Sequence, residues 1–541
     1  MKLNREILRL AGPSILANIT VPLVGMVDIA VVGHLGAIGN ISGAAFIGGI
    51  SVGTMLFDLL YWNFGFLRAG TGGLTAQAYG FLRTLCPLSS PATPSSILVT
   101  QNSGAGGAPD DAFQSQRTEA INSIYRILGR ALRIALLSGV ALIALQWVVV
   151  QLAFLVVDCS PEVQALATQY FYIRIWAAPA TLSLFALKGW FIGLQDSFRP
   201  MLVDLWINLC NILLSLGLGF GFLFLPSLGF AGVAWGTVIA QWTGLLLALC
   251  LVHNRLKISR LWKILCTFCA EDFTETPDCQ HVTGRRAKPT GGTEAAGGAK
   301  RAFFTLNRDL FLRSVGMIAV YIGFTVLSAR LGDQMLAVST ILMKLLMVFS
   351  YFTDGFAYAG EALTGRFIGG QSPDGVRSTV RGAFAWGFGL AAVFMLLYGF
   401  GGTPLFRLMT SDSAVVDAAR PFIPWLLLMP LIGCPAFTWD GIFTGATASK
   451  DLRNSTLLCA IGFFAVWFAG RWLADALNAG SLDMDGIEMG ALDMSIGNLS
   501  PEIGLHILMA AYFTHLAIRA LYLSLRYKPA VFWPITAKGP R

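Results

Sequence analysis

Charge is scarce in this sequence. Only 13% of its 541 residues are Asp, Glu, Lys or Arg, where a soluble domain carries roughly a quarter. Hydrophobic residues make up 55%, and the mean hydropathy is +0.65. That balance excludes an ordinary soluble enzyme and a disordered or nucleic-acid-coating chain, so the net charge of +8 does not point to a nucleic-acid partner. Catalytic and nucleotide motifs are missing as well. There is no Gly-x4-Gly-Lys-Ser/Thr loop for ATP, no Gly-x-Ser-x-Gly elbow and no His-Glu-x-x-His pair. The five histidines (34, 253, 281, 506 and 515) form no cluster with a nucleophile. Not an enzyme, then, by its motifs. Alternating strand patterns are absent too, which argues against an outer-membrane barrel.

Long apolar runs are what the sequence does have. Crossing the hydrocarbon takes about 20 mostly apolar residues in a helix. Twelve such stretches occur, at about 11–33, 43–66, 134–157, 163–187, 201–225, 231–252, 314–330, 336–362, 383–406, 415–443, 455–474 and 504–525. The expected fold class is an all-α polytopic membrane protein. The first stretch is broken by Pro22 and Asp28 and lacks a small-residue cleavage pattern, so it reads as a span and not as a signal peptide. With both termini on one side, the connections on the other side are 34–42, 158–162, 226–230, 331–335, 408–414 and 475–503. Those six contain no Lys or Arg, whereas Lys2, Arg5, Arg9, Arg130, Arg199, Lys263, Arg381 and Arg526 fall opposite. Basic residues are retained in the cytoplasm, which predicts cytoplasmic termini.

The chain repeats itself. Leu3-Asn4-Arg5-Glu6 returns as Leu306-Asn307-Arg308-Asp309. Ser160-Pro161-Glu162-Val163 corresponds to Asp412-Ser413-Ala414-Val415, and Gly189 to Gly193 corresponds to Gly441 to Gly445, a shift of 252 residues. Two six-span lobes in the same order are expected: 1–252 as N-lobe and 310–541 as C-lobe. A cytoplasmic linker covers 253–309, and the N-lobe carries a Pro/Gly-rich loop insertion at about 84–120. Parallel repeats of this kind are common in secondary transporters, with the substrate between the halves, although channels and scaffolds also duplicate.

Charged side chains at membrane depth mark candidate sites, because each costs about 2.5–3.5 kcal/mol on insertion scales. Asp28 lies deep in the first span. A carboxyl withdrawn from water there suits a group that takes and releases a proton; the bland reading is a structural hydrogen bond near a helix end. Asn208, Asn211 and Ser215 share one face of the fifth span, and Thr237 lies in the sixth. These can bond Asp28, ligate a cation, or simply pack helices. The second half offers Lys344, Asp354, Glu361 and Asp440 as a C-lobe cation or substrate site. Alternatively, Asp354 and Glu361 neutralise Lys344 and arginines such as Arg366. Trp62, Phe64 and Phe66 are candidate cavity walls for flat organic cations. Cys266, Cys269, Cys279 and His281 have a loosely zinc-like spacing, too irregular to predict a metal.

Pro22-Leu23 through Asp28 followed by His34-Leu35-Gly36 resembles the first-span signature of multidrug and toxic-compound extrusion (MATE) transporters. The segments Phe64–Ala78, Asp354–Gly365 and Asp440–Thr447 are similar to the DinF-like branch. The resemblance implies two six-helix lobes, alternating access, and export of amphipathic, often cationic compounds against inward H⁺ or Na⁺, with no other cofactor. It implies a bacterial inner-membrane protein that meets lipid and small organic substrates and works as a monomer. Asp28 matches the family's first-span acid, Pro13 a helix-bending proline, and Asn211 a fifth-span asparagine. Ser215 stands where some relatives have a second acid, which removes one carboxylate from the expected coupling site. Two rivals remain: a flippase for lipid-linked precursors, which favours a cationic central cavity hinted at by Arg174 and Lys344 as the deep basic residues, and a channel or membrane-embedded enzyme.

Overall fold

The computed structural model describes residues 2–35, 43–85, 111–154, 159–221, 226–253, 293–409, 413–478 and 500–536. The first lobe contains α1 (Lys2–Leu35), α2 (Gly43–Asn63), α3 (Gly65–Thr84), α4 (Asp111–Ala144), α5 (Gln146–Phe154), α6 (Pro161–Arg174), α7 (Ala178–Gly193), α8 (Phe198–Phe220) and α9 (Phe230–His253). The second contains α10 (Thr293–Ala329), α11 (Asp333–Gly369), α12 (Pro373–Met409), α13 (Ser413–Ala419), α14 (Ile423–Gly445), α15 (Ser449–Asn478) and α16 (Pro501–Tyr527). Among the described residues, twelve helical segments are long and apolar enough to span a membrane, with α2–α3, α6–α7 and α13–α14 each making one broken span. Their outer faces carry large exposed apolar side chains, Phe400, Leu525, Leu137 and Trp147 among them, which only a lipid surround makes tolerable. The protein is all-α and multi-pass.

Three boundaries differ from the sequence reading. The expected 84–120 loop is helical from Asp111 onward, leaving 86–110 outside the described residues. Within the expected 253–309 linker, 293–309 already belongs to α10, so the seventh span starts earlier than 314. Buried Asp309 explains this: it accepts from Arg453 Nη1 at 2.6 Å and from Ser449 Oγ at 3.3 Å, so a charged stretch is neutralised inside the bundle. Asp309→Asn should cost about 1.5–3 kcal/mol, the range for a hydrogen bond to a charged group. The check is the thermal midpoint in detergent; an unchanged midpoint would show that α10 is anchored otherwise. Finally, the third span begins well before 134, at Gln114, and runs to Ala144; α5 continues it past Leu145, whose N–H still donates to Ala141 O at 2.9 Å.

The repeat is visible at the level of single turns. At the end of α7, Gln195 N–H donates to Ile192 O and Asp196 N–H to Phe191 O; at the end of α14, Thr447 N–H donates to Thr444 O and Ala448 N–H to Phe443 O. Gln195 and Thr447 both turn through positive φ, 63° and 54°, the left-handed step that ends a helix and satisfies its last carbonyls. Ahead of these turns, Gly189 and Gly193 admit the backbone of α3, while Gly441 and Gly445 admit that of α11.

The lobes meet toward the end that carries the amino terminus, where α3 crosses α11. A side chain on Gly80 would overlap the Arg366 backbone, and one on Gly369 would overlap the Gln77 backbone. Gln77 then reaches into the other lobe, donating to Gly445 O at 3.0 Å and Thr447 Oγ1 at 3.2 Å. Arg366 reaches the opposite way, to Gln195 Oε1 at 2.9 Å and Glu6 Oε2 at 2.8 Å. Each lobe thus latches onto the helix-end turn of its counterpart.

Candidate functional site

The first constellation sits between α1, α8 and α9. Asp28 is 8% exposed, and its Oδ1 accepts from Ser215 Oγ at 2.9 Å. Ser215 also lies 3.4 Å from Asn211 Oδ1, and Asn211 Nδ2 donates to Thr237 Oγ1 at 2.9 Å. Asn211, Ser215 and Thr237 are buried with Asp28, so four of the five sequence candidates form one connected polar group. Asn208 does not join it: one turn earlier on α8, it donates to Thr20 Oγ1 at 2.6 Å and ties down the middle of α1.

Pro13 and Pro22 lie within α1, which stays helical through both. A proline leaves the carbonyl four residues back without its usual donor. Nearby, Ser14 Oγ donates to Leu10 O at 3.1 Å and Thr20 Oγ1 to Ala17 O at 2.7 Å. Helix α1 also touches the second lobe. Asn18 Nδ2 donates to Tyr351 O at 3.2 Å, and Gly355 packs against Ala11 and Ile15. One helix therefore carries Asp28 and forms part of the lobe interface.

The second constellation lines a cavity of about 330 Å³, bounded mainly by α3, α10, α11, α14 and α16. On α11, Met347, Ser350, Tyr351, Asp354, Tyr358 and Glu361 all face it, the three- and four-residue spacing of a single helix face. Arg68 Nη1 donates to Glu361 Oε2 at 3.0 Å, with its guanidinium 4.4 Å from the Tyr358 ring centroid. Asp440 is shared: Arg313 Nη2 donates to Oδ2 at 2.5 Å and Arg519 Nε to Oδ1 at 3.0 Å. Asp354 makes no hydrogen bond or ion pair with any described residue.

Several expectations change here. Glu361 is neutralised by Arg68, not by Lys344 or Arg366. Lys344 is exposed and lies outside the cavity wall, within electrostatic reach of Asp58. Arg174 and Lys344 are not the deep basic residues of the centre; Arg68, Arg313 and Arg519 are. Arg174 belongs to the first lobe, donating to Tyr170 Oη at 2.9 Å and lying over Phe57. Arg519 was detectable as an arginine inside the twelfth apolar stretch. Arg313 was hidden by the late start assigned to the seventh. Of the three aromatics proposed for the wall, Trp62 lines it, edge-on to Tyr321 with centroids 5.0 Å apart. Phe64 and Phe66 do not line it; their rings pack against each other, and Phe66 against Phe311. The Cys266, Cys269, Cys279 and His281 group lies outside the described residues.

The comparisons with known proteins fit this arrangement. The MatE family profile matches residues 118–216 and 310–478. DNA damage-inducible protein F of Escherichia coli (strain K12) is 30% identical over 472 residues, covering 87% of each chain. The chain belongs to the MATE family. Another MATE relative, probable multidrug resistance protein NorM of Deinococcus radiodurans, is 23% identical over 486 residues, 88% of each chain. Among solved structures, MATE in the bent conformation superposes with a TM-score of 0.67 at 14% identity, over 100% of this chain and 99% of that one. The outward-facing conformation of a multidrug resistance MATE family transporter of the MOP superfamily gives 0.66 at 16% identity, over 100% and 97%. At those identities the likeness establishes the MATE fold alone. Family membership makes this MATE protein a transporter and not an enzyme.

Proposed function

We propose that this transporter is an antiporter of amphipathic, often cationic organic compounds, exporting them from the cytoplasm in exchange for an inward H⁺ or Na⁺ held at Asp28. One observation carries the reading: a buried carboxylate in a hydroxyl and amide network, on a helix that also borders the other lobe. Cation binding at Asp28 changes what Ser215 and Asn211 can donate, and α1 transmits the change because Asn18 and Tyr351 join it to the wall of the cavity. Coupling follows if ion and cargo favour different states. The printed names of the relatives, multidrug resistance among them, support the cargo class. The absence of Lys and Arg from six alternate connections supports cytoplasmic termini in a bacterial inner membrane, and the lobe contact at that end then closes the cytoplasmic side. A flippase for pyrophosphate-linked lipid is less well supported: three arginines line the cavity, but so do three carboxylates.

The test is export by purified protein in vesicles, with a pH gradient and a Na⁺ gradient imposed separately and an amphipathic cationic dye as cargo. One gradient should drive dye movement and the other should not. Movement that is indifferent to both would overturn antiport, and ion current without a gradient requirement would support a channel.

A further inference from the structure

We propose that Asp58 of the first lobe and Lys344 of the second are a gate pair for the transport cycle, apart in this state and joined when the end of the cleft far from the amino terminus closes. This deepens the export reading and rests on it only in requiring a second state with that end shut. Depth is the first observation. Asp58 lies about 20 Å along its helix from Ala45, where its span begins, and Lys344 about 15 Å from Gln334. Both depths fall near the middle of a hydrocarbon layer about 30 Å thick, yet both side chains are exposed. A charge facing acyl chains there is costly, and charges within spans face protein or a water-filled cavity. Their exposure marks a wet cleft between the lobes.

Position is the second observation. Toward the amino-terminal end the lobes touch: Trp62 of α2 meets Tyr321 of α10 edge-on, and Asn18 of α1 donates to Tyr351 O of α11. Asp58 stands one turn beyond Trp62, and Lys344 two turns beyond Tyr351, both away from the closed end. They lie within electrostatic reach of one another across the cleft, and neither makes a hydrogen bond or ion pair with any described residue. The closed end already uses such a pair. There Arg366 of the second lobe meets Glu6 of the first at 2.8 Å, the same polarity as Lys344 facing Asp58. Closing the far end would strip water from both groups, and a charge withdrawn from water needs a partner. Asp58 has a second cation in reach within its own lobe, Arg174, held by Tyr170 Oη at 2.9 Å and 3.5 Å from Thr54 Oγ1. Removing Asp58 therefore strands the Lys344 ammonium at closure, whereas removing Lys344 leaves Asp58 to Arg174.

The experiment uses the full chain in lipid nanodiscs, with site-specific spin labels at exposed Glu162 and Ser413, one on each lobe at the end away from the amino terminus. It reads the ratio of short to long distances. Gly369→Val, whose side chain would overlap the Gln77 backbone and loosen the opposite end, should raise the short population above that of the unaltered protein. In that background Asp58→Asn should lower the ratio about tenfold or more, within the usual span of a coupling between states. Lys344→Gln should lower it less. The double variant should regain most of what Asp58→Asn loses, because no unpaired charge is then left in the closing cleft. Asp374→Asn, on a 92%-exposed carboxylate, should change nothing. Size-exclusion elution and the thermal midpoint identify any variant that fails to fold, and the recovery in the double variant keeps the test decisive. An unchanged ratio in Asp58→Asn, a double variant no better than Asp58→Asn alone, or no short distance in either the unaltered protein or Gly369→Val would overturn the proposal. No cargo and no ion gradient enter this assay. A failed dye experiment with the recovery intact would therefore sink the export reading alone, and dye export without the recovery would sink this one alone.

Discussion

In Asp28→Asn, gradient-driven dye export should fall about 100-fold, the size of a coupling free energy near the upper end of its usual range. The protein should still insert and elute as a single species. The amide preserves shape and a hydrogen bond to Ser215 Oγ, which lies 2.9 Å from the carboxylate, but it can neither take a proton nor hold a cation. Ser215→Ala separates the two contributions. It removes the donor and leaves the carboxylate, so export should fall by a smaller factor, about tenfold, the lower end of what one hydrogen bond to a charged group is worth. Full export by Asp28→Asn vesicles would remove this residue from the mechanism.

Gly369→Val should have the second large effect. The new side chain would overlap the Gln77 backbone where α3 and α11 cross. Overpacking of this kind costs about 1–3 kcal/mol, enough to move a two-state equilibrium by roughly 5- to 150-fold. The closed contact near the amino terminus should become a minor state. Spin labels at exposed Thr84 and Asp374, one on each lobe, should report a longer and broader distance, and export should drop with it. An unchanged distance distribution would mean that the crossing relaxes locally and does not hold the gate.

The sequence carried much of this. Twelve spans follow from apolar length alone, and the 252-residue offset pairs Gly189–Gly193 with Gly441–Gly445, although the turns at Gln195 and Thr447 that follow them show only in the structure. Asp28, Asn211, Ser215 and Thr237 were found because a polar side chain in a greasy helix is conspicuous. The second site was read poorly because its charges cancel in space, not along the chain. Glu361 and Arg68 are 293 residues apart and Asp440 and Arg313 are 127 apart, so no local pattern links them. Lys344 illustrates the opposite error: a nearby basic residue on the same helix is not a partner when it points elsewhere. The latch was equally hidden, since Gln77 and Arg366 are ordinary residues until the two crossing helices bring each to the far lobe's turn.

The polar group around Asp28 contains one ionisable side chain among amides and hydroxyls, so under the proposed coupling at Asp28 one charge enters per cycle. With a cargo of no net charge every such turnover would be electrogenic, and a membrane potential of 100 mV would contribute about 2.3 kcal/mol per turnover, roughly a fifty-fold ceiling on accumulation from voltage alone. A monovalent cationic cargo would make the same exchange electroneutral and deaf to voltage.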